Sequence, residues 1–225
     1  MLAIDTIVVP QGAEYQAVCR GLAKAQRENM QVISIPIGVS QLDRIFSDYS
    51  TIIDNAKNIL ILGLCGSLTN DYEPGDSVLV ASCIDLSHNL LALDAELTSK
   101  IQQQLKIETV IALTSDRIIT QTAAKRELTQ QYAAAIVEME GYSYIRGLQH
   151  RDKSVAMLRI ISDDLSGDLP DLNQAVDRQG NLKTLPMAIA LLQQPFAAAR
   201  LIKGSLAGLK RLEQLTTRLF SVSFK

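Results

Sequence analysis

Histidine is almost missing. His88 and His150 are the only two in 225 residues, which leaves no basis for a histidine-rich metal site. Cysteine is sparse too: Cys19, Cys65 and Cys83 are odd in number, far apart and outside any Cys-x-x-Cys spacing. They fit buried thiols in a reducing compartment better than disulfides or zinc. Positive charge is not in excess, since 22 Lys and Arg against 24 Asp and Glu leave a net charge of −2 and an isoelectric point near 5.7. Nucleic acid, whose phosphates call for a basic surface, is therefore not an expected partner. No apolar run approaches the roughly 18 residues of a membrane span. The opening "MLAIDTIVVPQGAEY" carries Asp5 and no basic leader, so it does not read as a signal peptide, and the expected location is cytoplasmic.

What is present is an ordinary globular balance, 47% hydrophobic and 20% charged, in a chain long enough for one large core; a single domain over 1–225 is expected. Short β-branched runs at 4–9, 31–39, 58–64, 77–84, 109–114, 134–139 and 155–162 read as strands, several of them apolar on both faces. Between them "GAEYQAVCRGLAKAQREN", "DAELTSKIQQQL", "TAAKRELTQQY" and "GYSYIRGLQH" carry helix formers at amphipathic spacing. The alternation predicts an α/β fold with a mainly parallel sheet, and the Pro-Gly turn in "YEPGDSV" allows the strand after it to join antiparallel. The polar segment 164–184 predicts a covering loop, followed by a helical region from Leu185.

Ligands of open parallel sheets sit beyond the carboxyl ends of the strands. There this chain places "PQGAE" (10–14), "GLCGSL" (63–68), "TSDR" (114–117), "EMEG" (138–141) and "SDD" (162–164), which gathers small residues, hydroxyls and carboxylates on one edge. "AIVEMEGYSYIRG" followed by "VAMLRIISDDLSG" resembles the paired "VEME" and "RxISD" motifs of the nucleoside phosphorylase and nucleosidase superfamily, which includes purine nucleoside phosphorylases and methylthioadenosine/S-adenosylhomocysteine nucleosidases. "ILGLCGSLTNDYEPGDSVLVAS" looks like that family's glycine-rich loop and "PGD" turn, and "ALTSDRII" sits where the family has Gly-Asp after a strand. The four motifs occur in the family's order between the first strand and about residue 170.

The resemblance implies a phosphorylase/hydrolase-like three-layer α/β sandwich with a mixed, mainly parallel central sheet. It also implies cleavage of the bond between ribose and a purine base in a small-molecule nucleoside. Glu140 matches the glutamate that binds the ribose hydroxyls and Met139 the methionine against the sugar. Asp163 matches the acid that protonates the base, and Glu14 the glutamate that activates water in the hydrolytic branch. Gly63, Gly66 and Ser67 would shape the loop beside the nucleophile, with Ser162 also in the substrate site. A carboxylate can accept both neighbouring sugar hydroxyls, and the reaction needs only a clamp, an acid and a nucleophile, so no metal or organic cofactor is implied. On the residues alone, acids after strands also serve as helix caps; Glu138 is expected to shape the turn or point away.

Some positions depart from the family. Leu64 stands where relatives have Ser or Thr, Ile118 where nucleosidases tend to have an aromatic residue, and Ser166 where an acid repeats, so the adenine pocket of that subgroup is not expected unchanged. Phosphate as co-substrate would need cationic donors; Arg20, Arg44 and Arg117 are candidates or plain surface charges, and Glu14 would repel the dianion. Hydrolysis is thus expected first, phosphorolysis second, and a non-catalytic nucleoside binder is the alternative of another class. His88 reads as a residue near the sugar or an ordinary loop histidine, and Cys65 as a small buried residue. The C-terminal region from Leu185 is apolar and basic, with Glu213 its one acid. It would pack on the sheet or a second subunit, or lie on an anionic membrane surface. That tail is similar to the hopanoid-associated phosphorylases, which act on a lipid-linked nucleoside. The family resemblance implies a homo-oligomer.

Overall fold

A computed structural model describes residues 4–175 and 183–221. The chain runs β1 (Thr6–Pro10), α1 (Ala13–Lys24), β2 (Gln31–Ile35), α2 (Leu42–Asp48), α3 (Ser50–Asn55), β3 (Asn58–Ser67), β4 (Ser77–Ile84), β5 (Leu90–Ala92), α4 (Ala95–Leu105), β6 (Thr109–Thr114), α5 (Thr122–Tyr132), β7 (Ile136–Glu138), α6 (Gly141–Gln149), β8 (Ser154–Asp163), α7 (Thr184–Gln193) and α8 (Pro195–Phe220). Among the described residues one mixed sheet holds all eight strands in the order β2-β1-β3-β7-β6-β4-β5, with β8 between β3 and β4. β1 is parallel to β2 and β3, β8 to β3, and β6 to β4 and β7; β4–β5, β4–β8 and β3–β7 are antiparallel. The sheet therefore closes on itself through β3, β8, β4, β6 and β7, while β1 and β2 extend outward from β3.

The period of two along β3 builds the layers. Ile59 and Ile61 face a core with Ile45, Phe46, Ile53, Ile145 and Leu148 of α2, α3 and α6. Leu60 and Leu62 face the opposite core with Val18, Leu22, Ile101, Leu212 and Leu215 of α1, α4 and α8. All four strand residues are fully buried, and each such side chain contributes about 1.5–3 kcal/mol. Gly21 lets α8 reach α1, because a Cβ there would lie 2.7 Å from the Glu213 carbonyl and from Thr216. Glu213 then bridges Arg20 (2.7 Å) and Lys24 (2.5 Å) of α1.

Several boundaries differ from the sequence expectation. β2 stops at Ile35 because Pro36 has no N–H and Gly38 turns the chain with φ 76°. β3 continues to Ser67, so "GLCGS" is strand, with a bulge between Cys65 and Gly66. β7 is only three residues, and β5, α2 and α3 are additional short elements. The expected covering loop packs its described part on 118–122: Leu169 N–H donates to Thr120 O (2.8 Å), Asp168 accepts from Thr122 N–H (2.8 Å) and Asn173 accepts from Ile118 N–H (3.0 Å). Residues 176–182 of that loop lie outside the described residues.

Candidate active site

A cleft of about 210 Å³ opens where the carboxyl ends of β1, β3, β7 and β8 meet, lined by Glu14, Gly66, Met139, Glu140, Ser162 and Asp163 among others. Six of the eight site residues expected from sequence are therefore on its walls. Gly63 and Ser67 are not. Gly63 lies behind the wall against Arg159, and Ser67 is fully buried with its hydroxyl donating to Thr69 O at 2.8 Å, so it shapes the following turn instead.

Glu14 sits in the first turn of α1, reached through Gly12 at φ 86°, a left-handed conformation that a side chain would strain. Its Oε1 accepts the Leu64 N–H at 2.6 Å. Leu64, which as expected from the sequence offers no side-chain hydroxyl, thus serves the cleft through its backbone. Burial raises the Glu14 pKa above its usual range, with the Leu64 N–H and the Arg159 charge opposing.

Glu138 turns inward at the end of β7. One oxygen accepts the N–H groups of Glu140 (3.0 Å) and Gly141 (2.7 Å), which closes the turn into α6, and it also pairs with Arg159 Nη2; the other binds the Thr114 hydroxyl. This side chain shapes the turn, and it also holds the buried arginine. Glu140, next along, accepts the Gly38 N–H at 2.9 Å and lies 3.7 Å from Arg159. Burial first, and then the neighbouring Glu138 charge, push its pKa up to about 7.

The glycines of β3 make room for β8. A Cβ on Gly63 would collide with Arg159 Nη1, and one on Gly66 would lie 2.7 Å from Asp163 Oδ2. Asp163 is gripped on both oxygens: Ser162 Oγ donates to Oδ1 at 2.8 Å, and the buried Lys125 ammonium of α5 pairs with Oδ2. Lys125 also donates to Asp164 O at 3.1 Å. Arg159 and Lys125 had no assigned role from sequence. Arg159 was legible in part, since a charge inside "VAMLRIIS" must find a partner once both faces of the strand are covered. Lys125 carried no such mark on a polar helix.

Arg159 is fully buried, and its Nε and Nη1 have no hydrogen-bond partner among the described residues. Of the arginines weighed for phosphate, Arg117 borders the cleft, Arg20 pairs with Glu213 and Arg44 with Asp48 on the surface. Cys65 is buried, with burial raising its thiol pKa well above the usual range, and it donates toward Ile160 O. His88 belongs to a surface turn and stacks on Tyr132 at 4.6 Å, away from the cleft. Among the described residues no group of three or more His, Cys, Asp or Glu could hold a metal ion; the acids of the cleft face cations and backbone N–H groups.

This arrangement presents a buried carboxylate beside unpaired arginine N–H groups, a second carboxylate opposite and a third at the far wall. A sequence model of the phosphorylase superfamily matches residues 22–192. The chain belongs to the phosphorylase superfamily. Glu14 precedes the matched span, whereas Glu140, Arg159 and Asp163 lie inside it. The fold is shared with a Francisella philomiragia protein provisionally assigned as a 5′-methylthioadenosine/S-adenosylhomocysteine nucleosidase (16% identity, 96% of this chain and 98% of that one, TM-score 0.66). It is shared too with the Helicobacter pylori nucleosidase of that name bound to butyl-thio-DADMe-Immucillin-A (16%, 94% and 97%, 0.61) and with Helicobacter pylori futalosine hydrolase (16%, 94% and 97%, 0.60). A search of curated proteins found no match. In type, this superfamily member has the fold of N-ribosyl hydrolases and nucleoside phosphorylases.

Proposed function

We propose that this protein hydrolyses the N-glycosidic bond of a purine nucleoside or nucleoside-like metabolite. The observation that carries the reading is the convergence of Glu14, Glu140 and Asp163 on one cleft around the buried Arg159. Glu140 in its ionised form accepts the ribose hydroxyls, and Met139 packs beside the sugar. As the C1′–N9 bond lengthens, positive charge grows on the ribose and electrons pass to the base. A proton passed to N7 through Asp163, resupplied by the Lys125 ammonium paired with it, lets the base leave neutral. Water attacks C1′ and gives its proton to Glu14, which the Leu64 N–H holds at the cleft wall. The products are free base and ribose bearing the oxygen of water.

Water is favoured over phosphate by charge. A dianion near Glu14 or Glu140 would meet about 4 kcal/mol of repulsion per pair of unit charges at 4 Å in an effective dielectric of 20. Arg117, which borders the cleft, supports phosphorolysis as the second reading, because a guanidinium is an anion donor. The test is base release from a panel of purine nucleosides with and without phosphate. Release at equal rates in both supports hydrolysis, release only with phosphate replaces it with phosphorolysis, and an intact panel with lasting binding would make the protein a binder.

A further inference from the structure

The C-terminal helices leave an apolar surface uncovered. α7 has no charged residue, and Leu185, Ala188, Ile189 and Leu192, spaced three and four apart, form one exposed stripe; Leu185 and Leu192 are 71% and 81% exposed. Phe196, at the start of α8, is 83% exposed. Along α8 the buried residues Ala197, Gly204, Gly208, Leu212, Leu215 and Leu219 face the sheet and α1. The opposite side repeats Phe196, Ala199, Lys203, Leu206 and Lys210, again at intervals of three and four, so apolar and basic side chains share one outward face. A soluble monomer rarely exposes such a continuous patch without use.

Charge identifies its partner. Residues 183–212 contain Lys183, Arg200, Lys203, Lys210 and Arg211 and no Asp or Glu, in a chain whose net charge is −2. A second copy meeting this face through a two-fold axis would set these cations against themselves. An anionic bilayer offers apolar depth to Leu192 and Phe196 and phosphate to the lysines beside them. Among the described residues no single helix is long and apolar enough to cross a membrane, and α7 and α8 meet at 118°, which gives two short stripes suited to lying in an interface.

We infer that the outward face of α7 and α8 docks the protein on an anionic lipid surface. The variants that test it stand apart from the catalytic reading, since Lys183, Leu192, Phe196 and Lys210 line no part of the cleft, whereas Arg200 and Lys203 border the adjoining pocket of about 410 Å³ that Ser162 and Asp163 share. Its test is co-sedimentation of the full chain with vesicles of phosphatidylcholine alone and of equal parts phosphatidylcholine and phosphatidylglycerol. Binding to the mixed vesicles only is expected, weakening as salt rises. It should fall about tenfold or more in Lys183→Glu/Lys210→Glu and in Leu192→Ser/Phe196→Ser, with base release from soluble nucleosides unchanged in both. Light scattering of the same proteins reports the competing occupant. No binding to mixed vesicles, or binding that neither double variant lowers, would overturn the inference. A self-associated protein that falls apart in Leu192→Ser/Phe196→Ser and ignores vesicles would give the face to a second copy.

Discussion

Arg159 is the residue on which the cleft balances. Its charge faces Glu138, Glu140 and Glu14 in a region closed to solvent, so removing it leaves buried acids without compensation. Arg159→Met is expected to cost about 3–5 kcal/mol of stability at neutral pH, read by urea unfolding, the usual penalty for breaking a buried pair. Arg159→Lys keeps the charge but loses the planar fork, and should fold while losing about a hundredfold in kcat. Glu140 titrates in an accessible range. With its pKa pushed up to about 7, kcat/KM should fall about tenfold per pH unit below that point, because the sugar clamp must be ionised. The stability sign is opposite. The folded state keeps a proton that the unfolded chain releases near 4.5, so this contribution is full below 4.5 and is lost as pH rises through about 7. Glu140→Gln should therefore gain stability over the native protein at pH 8 and not at pH 4, with activity lost at both; equal unfolding midpoints at pH 8 would refute the buried-carboxylate account.

At the scale of elements, the carboxyl ends of β3 and β8 are fitted to one another through missing side chains. Gly66→Ala places a Cβ 2.7 Å from Asp163 Oδ2 and 3.4 Å from Lys125 Nζ, so the Asp163–Lys125 pair must move. A loss of about 1–3 kcal/mol is expected together with a fall in kcat, measured by unfolding and steady-state base release. Gly204→Ala meets the Ser162 carbonyl, a backbone atom that cannot turn aside, and should displace α8 from β8 with a larger loss of stability. These contacts also explain what the sequence did and did not disclose. β3, β4 and β8 were legible because long β-branched runs buried on both faces have few other uses. β5, with Leu90 exposed and three residues in all, carries no comparable pattern. The glycines of β3 looked like a loop because glycine is common in turns; here they answer to Arg159 and Asp163, which arrive from a strand about a hundred residues later. The places of Glu140 and Asp163 on the cleft were readable from motif order, whereas the Lys125 contact depends on how α5 packs, which no local pattern encodes.

At the scale of the whole molecule, binding and turnover leave different thermal signatures. A nucleoside that occupies the folded cleft alone stabilises it by about 2.7 kcal/mol at a hundredfold excess over Kd, or roughly 5–10 °C in Tm for a chain of this size. In the native enzyme that gain should decay during incubation as the base departs and the ribose-anchored contacts to Glu140 are lost. Asp163→Asn keeps the shape of the far wall but has no proton to deliver, so its turnover should drop by about 10²–10⁴ while the Tm gain persists. Tm and free base followed in parallel over time distinguish the alternatives. A gain that decays in the native protein in step with base release, and persists in Asp163→Asn, supports a cleft that turns over its ligand. A gain that persists in both with no base released would make the same carboxylates a binding site, and equal turnover in both would remove Asp163 from the chemistry.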